Sequence, residues 1–81
     1  MKKYMYKVHM EREPEGGFTV TVPSLPGCVS WGEDYDHAVA MIQEAIEGYL
    51  EVLEEEGKAI PEEPLTGSVD TIIQVERPAV A

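Results

Sequence analysis

The chain has 81 residues and a single cysteine, which bounds it to one small core with no internal disulfide. Sixteen acidic residues against six basic ones give a formal net charge of −10, a field that repels phosphate backbones and argues against direct nucleic-acid binding. No apolar run is long enough to span a bilayer, and no apolar stretch follows Met1-Lys2-Lys3-Tyr4 to make a secretory signal, so the expected compartment is the cytoplasm. A core this small gains from association, and a homo-oligomer, dimer or tetramer, is expected.

Residues 4–10 place Tyr4, Tyr6, Val8 and Met10 on one face and Lys7 and His9 on the other, with Met5 the exception, which predicts a half-buried strand. His9 shares the polar face with Lys7, and the other histidine is distant in sequence. It therefore reads as an exposed strand residue, not a metal ligand. Glu13-Pro14-Glu15-Gly16-Gly17 is a turn, with proline to set φ and paired glycines to permit the left-handed region. Residues 18–22 then alternate without exception, and the two strands form an antiparallel hairpin.

Val22-Pro23-Ser24-Leu25-Pro26-Gly27-Cys28-Val29-Ser30-Trp31-Gly32 is the corner on which the chain turns from strand to helix. Its prolines fix φ, and Gly32 closes a short third strand over residues 28–31. Cys28 and Ser30 point one way, Val29 and Trp31 the other. Small residues beneath a helix would leave Trp31 on the outer face of the sheet. No basic residue adjoins Cys28 to lower its pKa, so it reads as a small buried apolar side chain.

The helix begins after Gly32 with Asp34 as N-cap, and Glu33 and Asp36 put negative charge where the helix dipole favours it. Tyr35, Ala38, Ile42, Ala45, Ile46, Tyr49 and Leu53 form one stripe, widened by Val39 and Leu50, with Gln43, Glu44, Glu47, Glu51, Glu54 and Glu55 on or near the opposite face. Tyr35 reads equally as the start of the core stripe or as an exposed contact. Gly48 costs about 1 kcal/mol in a helix interior, which close packing of another backbone could explain. Gly57 ends the helix, and Pro61 and Pro64 prevent its resumption. Glu54-Glu55-Glu56 opposes the dipole; it is either a solvated charge run or an acidic docking patch. A loop over 58–68 leads to a fourth strand over 69–76, with Val69, Thr71, Ile73 and Val75 facing one way, Asp70, Gln74 and Glu76 the other, and Ile72 breaking the pattern. Residues 1–3 and 77–81 read as loose ends of one domain spanning 1–81.

The order β-β-β-α-β predicts an α+β fold, an antiparallel sheet with one helix packed on one face. No nucleotide-binding glycine loop precedes a helix, no Cys or His cluster has metal spacing, and neither Ser24 nor Ser30 has the flanks of an activated nucleophile. The strand interiors offer Tyr6, Val8, Val20 and Val22 where metal-dependent hydrolysis would need convergent carboxylates. The reading is a non-enzyme with no cofactor and no metal.

The run Gly16-Gly17-Phe18-Thr19-Val20-Thr21-Val22-Pro23-Ser24-Leu25-Pro26-Gly27-Cys28 resembles the opening of the HicB family of antitoxins. Gly32-Glu33-Asp34, Glu44-Ala45-Ile46-Glu47, Tyr49-Leu50 and Pro61 continue the likeness, which covers about residues 4–76. The resemblance implies a partly degraded RNase H-like fold that has lost its catalytic carboxylates. It also implies a partner, a small basic mRNA-cleaving toxin of the HicA type. Many members of that family carry a C-terminal DNA-binding domain; this chain ends soon after its fourth strand, so operator binding is not expected of it. Two alternatives stand beside the antitoxin reading: a solitary homo-oligomer without a toxin, and a residual metal-dependent RNase H-like nuclease.

Three acidic clusters could meet a basic toxin: Glu11-Glu13-Glu15, Glu33-Asp34-Asp36 and Glu54-Glu55-Glu56. The middle one adjoins Trp31 and Tyr35, and an aromatic anchor beside charge is the usual make-up of a hot spot. Because Asp34 already has a role as cap, the expected contact residues are Trp31, Glu33, Tyr35 and Asp36, followed by Glu54, Glu55 and Glu56. Trp31 or Ile72 is expected near a contact between copies of the chain.

Overall fold

In the computed structural model, which describes residues 1–64, 67 and 71–78, the period-two stretches are strands and the apolar stripe is one helix. The chain runs β1 (Lys2–Arg12), β2 (Phe18–Thr21), β3 (Val29–Gly32), α1 (Tyr35–Glu55) and β4 (Thr71–Arg77). The sheet order is β3-β2-β1-β4, and each neighbouring pair is antiparallel. This is the α+β arrangement read from the sequence.

β1 is shared between two partners. Residues 2–8 pair with β4, from Lys2↔Arg77 to Val8↔Thr71, and residues 9–12 pair with β2, from His9↔Thr21 to Arg12↔Phe18. Residues 2, 3 and 77, read as loose ends, are therefore rungs of the β1–β4 ladder. Their side chains are too polar to signal burial, but backbone pairing at a strand end does not require it. Val69 and Asp70 of the fourth strand, Ser68 of the loop and residues 79–81 of the tail lie outside the described residues.

The side of β1 that β2 does not reach is served by the segment after the helix. Gly57, at φ +69°, ends α1 with its N–H donating to the Glu54 carbonyl (3.1 Å) and the Lys58 N–H donating to that of Leu53 (2.9 Å), the Schellman arrangement. The chain then passes beside β1. The Tyr6 hydroxyl donates to the Pro61 carbonyl at 2.6 Å, and the Glu63 carboxylate accepts from the Lys7 amide (3.0 Å) and the Ser24 hydroxyl (2.6 Å). Glu63 thus ties the loop to both β1 and the proline corner.

One face of the sheet lies under α1. The core is Tyr6, Val8, Val20, Val22, Leu25, Cys28, Ile73 and Val75 against Ala38, Ile42, Ile46 and Leu50, a helix line with a spacing of four. Val39, Ala45, Tyr49 and Leu53 pack on its flanks. Helix and sheet come closest at Gly32, where a Cβ would overlap the backbone N and Cα of Ala38 and stand 2.7 Å from the His37 carbonyl carbon. Cys28 and Gly32 are buried on that side, while Val29 and Trp31 face outward, as the small-residue reading requires.

Candidate partner-binding surface

At the start of α1 the backbone needs acceptors for its first N–H groups, and residues 33–37 supply them. Asp34 is extended (φ −139°, ψ −179°) and its Oδ1 accepts from the His37 N–H at 2.8 Å. The His37 Nδ1 in turn accepts from the Glu33 N–H at 3.0 Å, a reciprocal cap in the manner of a capping box. The same imidazole meets the Trp31 indole edge-on, with centroids 6.5 Å apart. On its other side Trp31 covers Gly17, where a Cβ would lie 2.6 Å from Cε2, and Gly17 has φ +83° besides.

Trp31 is held in place yet 47% exposed. Tyr35 does not join the core: it is 48% exposed and meets Phe18 edge-on at 6.4 Å. Glu33 and Asp36 are exposed, and neither is in a salt bridge among the described residues. Trp31, Glu33, Tyr35 and Asp36 therefore share one corner.

Glu54, Glu55 and Glu56 lie at the far end of α1, about 30 Å away at 1.5 Å per residue. They are not equivalent. Glu54 takes Arg77 in a two-point pair (Nε–Oε1 2.7 Å, Nη2–Oε2 3.3 Å), which lowers its pKa and raises that of Arg77. Glu56 lies 3.6 Å from Lys58, and Glu55 is exposed with no salt bridge among the described residues. In the first-turn cluster, Glu13 accepts from the Thr19 hydroxyl at 2.8 Å, and Glu11 and Glu15 are exposed.

A groove is present that the sequence pattern does not announce. It is a cleft of about 430 Å³ between α1 and the start of β3, lined by Cys28, Val29, Ala45, Gly48, Tyr49 and Val52 among others. The Tyr49 hydroxyl spans one end, donating to the Pro26 carbonyl at 2.9 Å. Gly48 was its one trace in the sequence, but no backbone packs there: among the described residues nothing lies within 4 Å of where its Cβ would stand.

Reactive groups are sparse. Burial pushes the Cys28 thiol pKa up, which keeps it protonated and a poor nucleophile. Among the described residues no three His, Cys, Asp or Glu side chains converge to hold a metal ion, and no helix is long and apolar enough to cross a membrane. What the surface offers is aromatic and apolar contact bordered by negative charge, which suits binding.

Residues 6–77 match the family described as the HicB_like antitoxin of bacterial toxin-antitoxin system. A UPF0150 protein of Synechocystis sp. is 42% identical over 62 residues, 76% of this chain and 78% of that relative. The crystal structure of the Burkholderia pseudomallei antitoxin HicB superposes with a TM-score of 0.72 at 28% identity, covering 100% of this chain and 75% of that one. The N-terminal domain of the same antitoxin gives 0.62 at 27% identity, over 96% of this chain and 100% of that one. Sharing both the fold and almost the whole sequence pattern, the chain belongs to the HicB-like antitoxin family of bacterial toxin–antitoxin systems.

Proposed function

We propose that this chain neutralises a small basic mRNA-cleaving toxin of the HicA type by binding it and covering the surface with which the toxin engages RNA. The observation that carries this reading is the composition of α1. Over 21 residues it has Asp36, Glu44, Glu47, Glu51, Glu54 and Glu55 and neither lysine nor arginine. Asp36 suits the helix dipole and Glu54 pairs with Arg77, but folding gives no reason for Glu44, Glu47, Glu51 and Glu55. Glu44/Glu47, Glu47/Glu51, Glu51/Glu54 and Glu51/Glu55 are like-charge pairs at helical neighbour spacing, each unfavourable by about 0.2–0.5 kcal/mol. Glu54 and Glu55 also oppose the dipole. A toxin that cleaves mRNA must present cations to phosphates, and the same cations make it a partner for this face.

Trp31, Glu33, Tyr35 and Asp36 would add an aromatic anchor at one end of the acidic face, and Glu54, Glu55 and Glu56 charge at the other. The chain acts by occupancy and not by catalysis, in the cytoplasm where the mRNA is. Copies of the chain associate through the sheet face that α1 leaves bare. There Met5 and Ile72 are exposed, and strand alternation puts Lys3 and Lys7 alongside Glu11 and Glu76, so that face is nearly neutral on an acidic molecule.

The test is co-expression with a HicA-type toxin. Growth arrest by the toxin should be relieved, and the two should co-purify as a salt-sensitive complex. Undiminished arrest with the antitoxin present in excess would sink the proposal.

A further inference from the structure

Gly48 lowers the stability of α1 with no compensating contact. A glycine in a helix interior is unfavourable by about 1 kcal/mol relative to alanine. Close packing of a neighbour is the usual reason for such a residue, and here there is open space. That space is the groove, which Cys28, Val29, Ala45 and Val52 line, with the apolar side chain of Val52 (51% exposed) left in water.

Two further features border it. β3 is an end strand of the sheet. The bond from the Val22 N–H to the Cys28 carbonyl (3.1 Å) sets the alternation, so Ser30 and Gly32 direct their backbone groups to β2 while Val29 and Trp31 direct theirs outward, where no strand among the described residues pairs with them. The second feature is charge. At 100° per residue, Glu44, Glu51 and Glu55 fall on the solvent flank of the groove, three or four residues from Gly48 or Val52, and none is in a salt bridge among the described residues. Glu56 at the mouth is offset by Lys58. A second copy of this chain, itself at −10, would bring negative charge to negative charge.

We propose that the groove is the anchor point for a cationic segment of the partner. Resting on the toxin-binding reading above, one apolar side chain of the toxin enters over Gly48 between Val29 and Val52. Flanking lysines or arginines meet Glu44, Glu51 and Glu55, and the segment's backbone lies along the open edge of β3. Gly48 is then a residue of the binding site: any side chain there would occupy the place of the toxin's.

The experiment uses this chain and a HicA-type toxin, with Kd and association rate measured for each variant. Gly48→Met fills the groove from within without reaching the core. It should unfold at the wild-type temperature or above while weakening toxin binding about 30-fold or more, the scale of a lost hot spot. Gly48→Ala fills less of the groove and should weaken toxin binding by less than Gly48→Met does. Glu51→Lys with Glu55→Lys should lower the association rate about tenfold at low salt. Independently of any variant, toxin binding to the wild-type chain should shift the amide resonances of residues 27–29 and 48–53 most. Wild-type affinity in Gly48→Met, or a shift map centred on residues 33–36 with the groove unmoved, overturns the groove assignment and leaves toxin neutralisation standing. Failure of the wild-type chain to bind the toxin at all overturns both.

Discussion

Gly32→Ala tests how the helix is seated on the sheet. The added methyl would overlap the Ala38 backbone N and Cα and stand 2.7 Å from the His37 carbonyl carbon, all of it backbone with no rotamer to yield. Ordinary contact needs about 3.5–4 Å between carbons, so the first turn of α1 must retreat by about 1 Å. That movement draws fully buried Ala38 off the core and strains the cap formed by Asp34 and His37. Overpacking of this kind costs about 1–3 kcal/mol. For a domain of this size each kcal/mol moves Tm by about 4–8 °C, so a fall of about 4–24 °C is expected. Gly48→Ala, also glycine to alanine but into open space on the same helix, should instead raise stability by about 1 kcal/mol. Urea titration followed by far-ultraviolet circular dichroism and by Trp31 fluorescence measures both. The seating argument fails if Gly32→Ala loses less than about 0.5 kcal/mol, or if the two substitutions move stability in the same direction.

Tyr6 is buried, which raises its hydroxyl pKa from 10.0 to about 12 in the folded state. Its contribution is therefore full below the unfolded value and lost as pH rises through the interval between the two; Tyr6→Phe should remove that alkaline loss and, by leaving the Pro61 carbonyl without its donor, cost about 1–3 kcal/mol at neutral pH. Glu54 has its pKa depressed chiefly by the hydrogen bond from Arg77, so its contribution is present above the unfolded carboxylate value and lost as pH falls through the folded one. Glu54→Gln should flatten that acid limb in a pH series of denaturation curves, and an unchanged limb would exclude the pair as its source. Reversing Glu33 and Asp36 to lysine should slow association with the toxin and weaken its salt dependence, with circular dichroism unchanged; an unaltered rate at low ionic strength would move the electrostatic contact to the other end of α1.

The strands were legible because the sheet is covered on one side only. Tyr6 and Val8, Val20 and Val22, Ile73 and Val75 stand under α1 with polar neighbours between them, so a period of two declares itself. The strand ends were not legible, because Lys2, Lys3 and Arg77 join the ladder through backbone groups and carry no apolar side chain to mark it. Tyr35 fits the helical period of the stripe, yet the first turn of α1 stands at the margin of the sheet, where Phe18 meets it edge-on and leaves it half exposed. Glu54 read as one of three equivalent carboxylates; its pairing with Arg77 depends on β4 running beside the end of α1, which local sequence does not encode. The groove has the same origin. It forms between a proline corner and a helix flank that are distant in sequence, and its single local sign was a glycine whose meaning depends on whether the space beside it is filled or open.

Titration of the purified chain into a reaction in which the HicA-type toxin cleaves an mRNA tests the central claim most directly, because it reads neutralisation without relying on growth. If the acidic face of α1 covers the toxin's RNA-binding surface, cleavage falls in proportion to added antitoxin and ends near one equivalent per toxin, and rising salt restores it as the complex dissociates. Cleavage that continues at the uninhibited rate with the antitoxin in large excess at low salt would contradict the account.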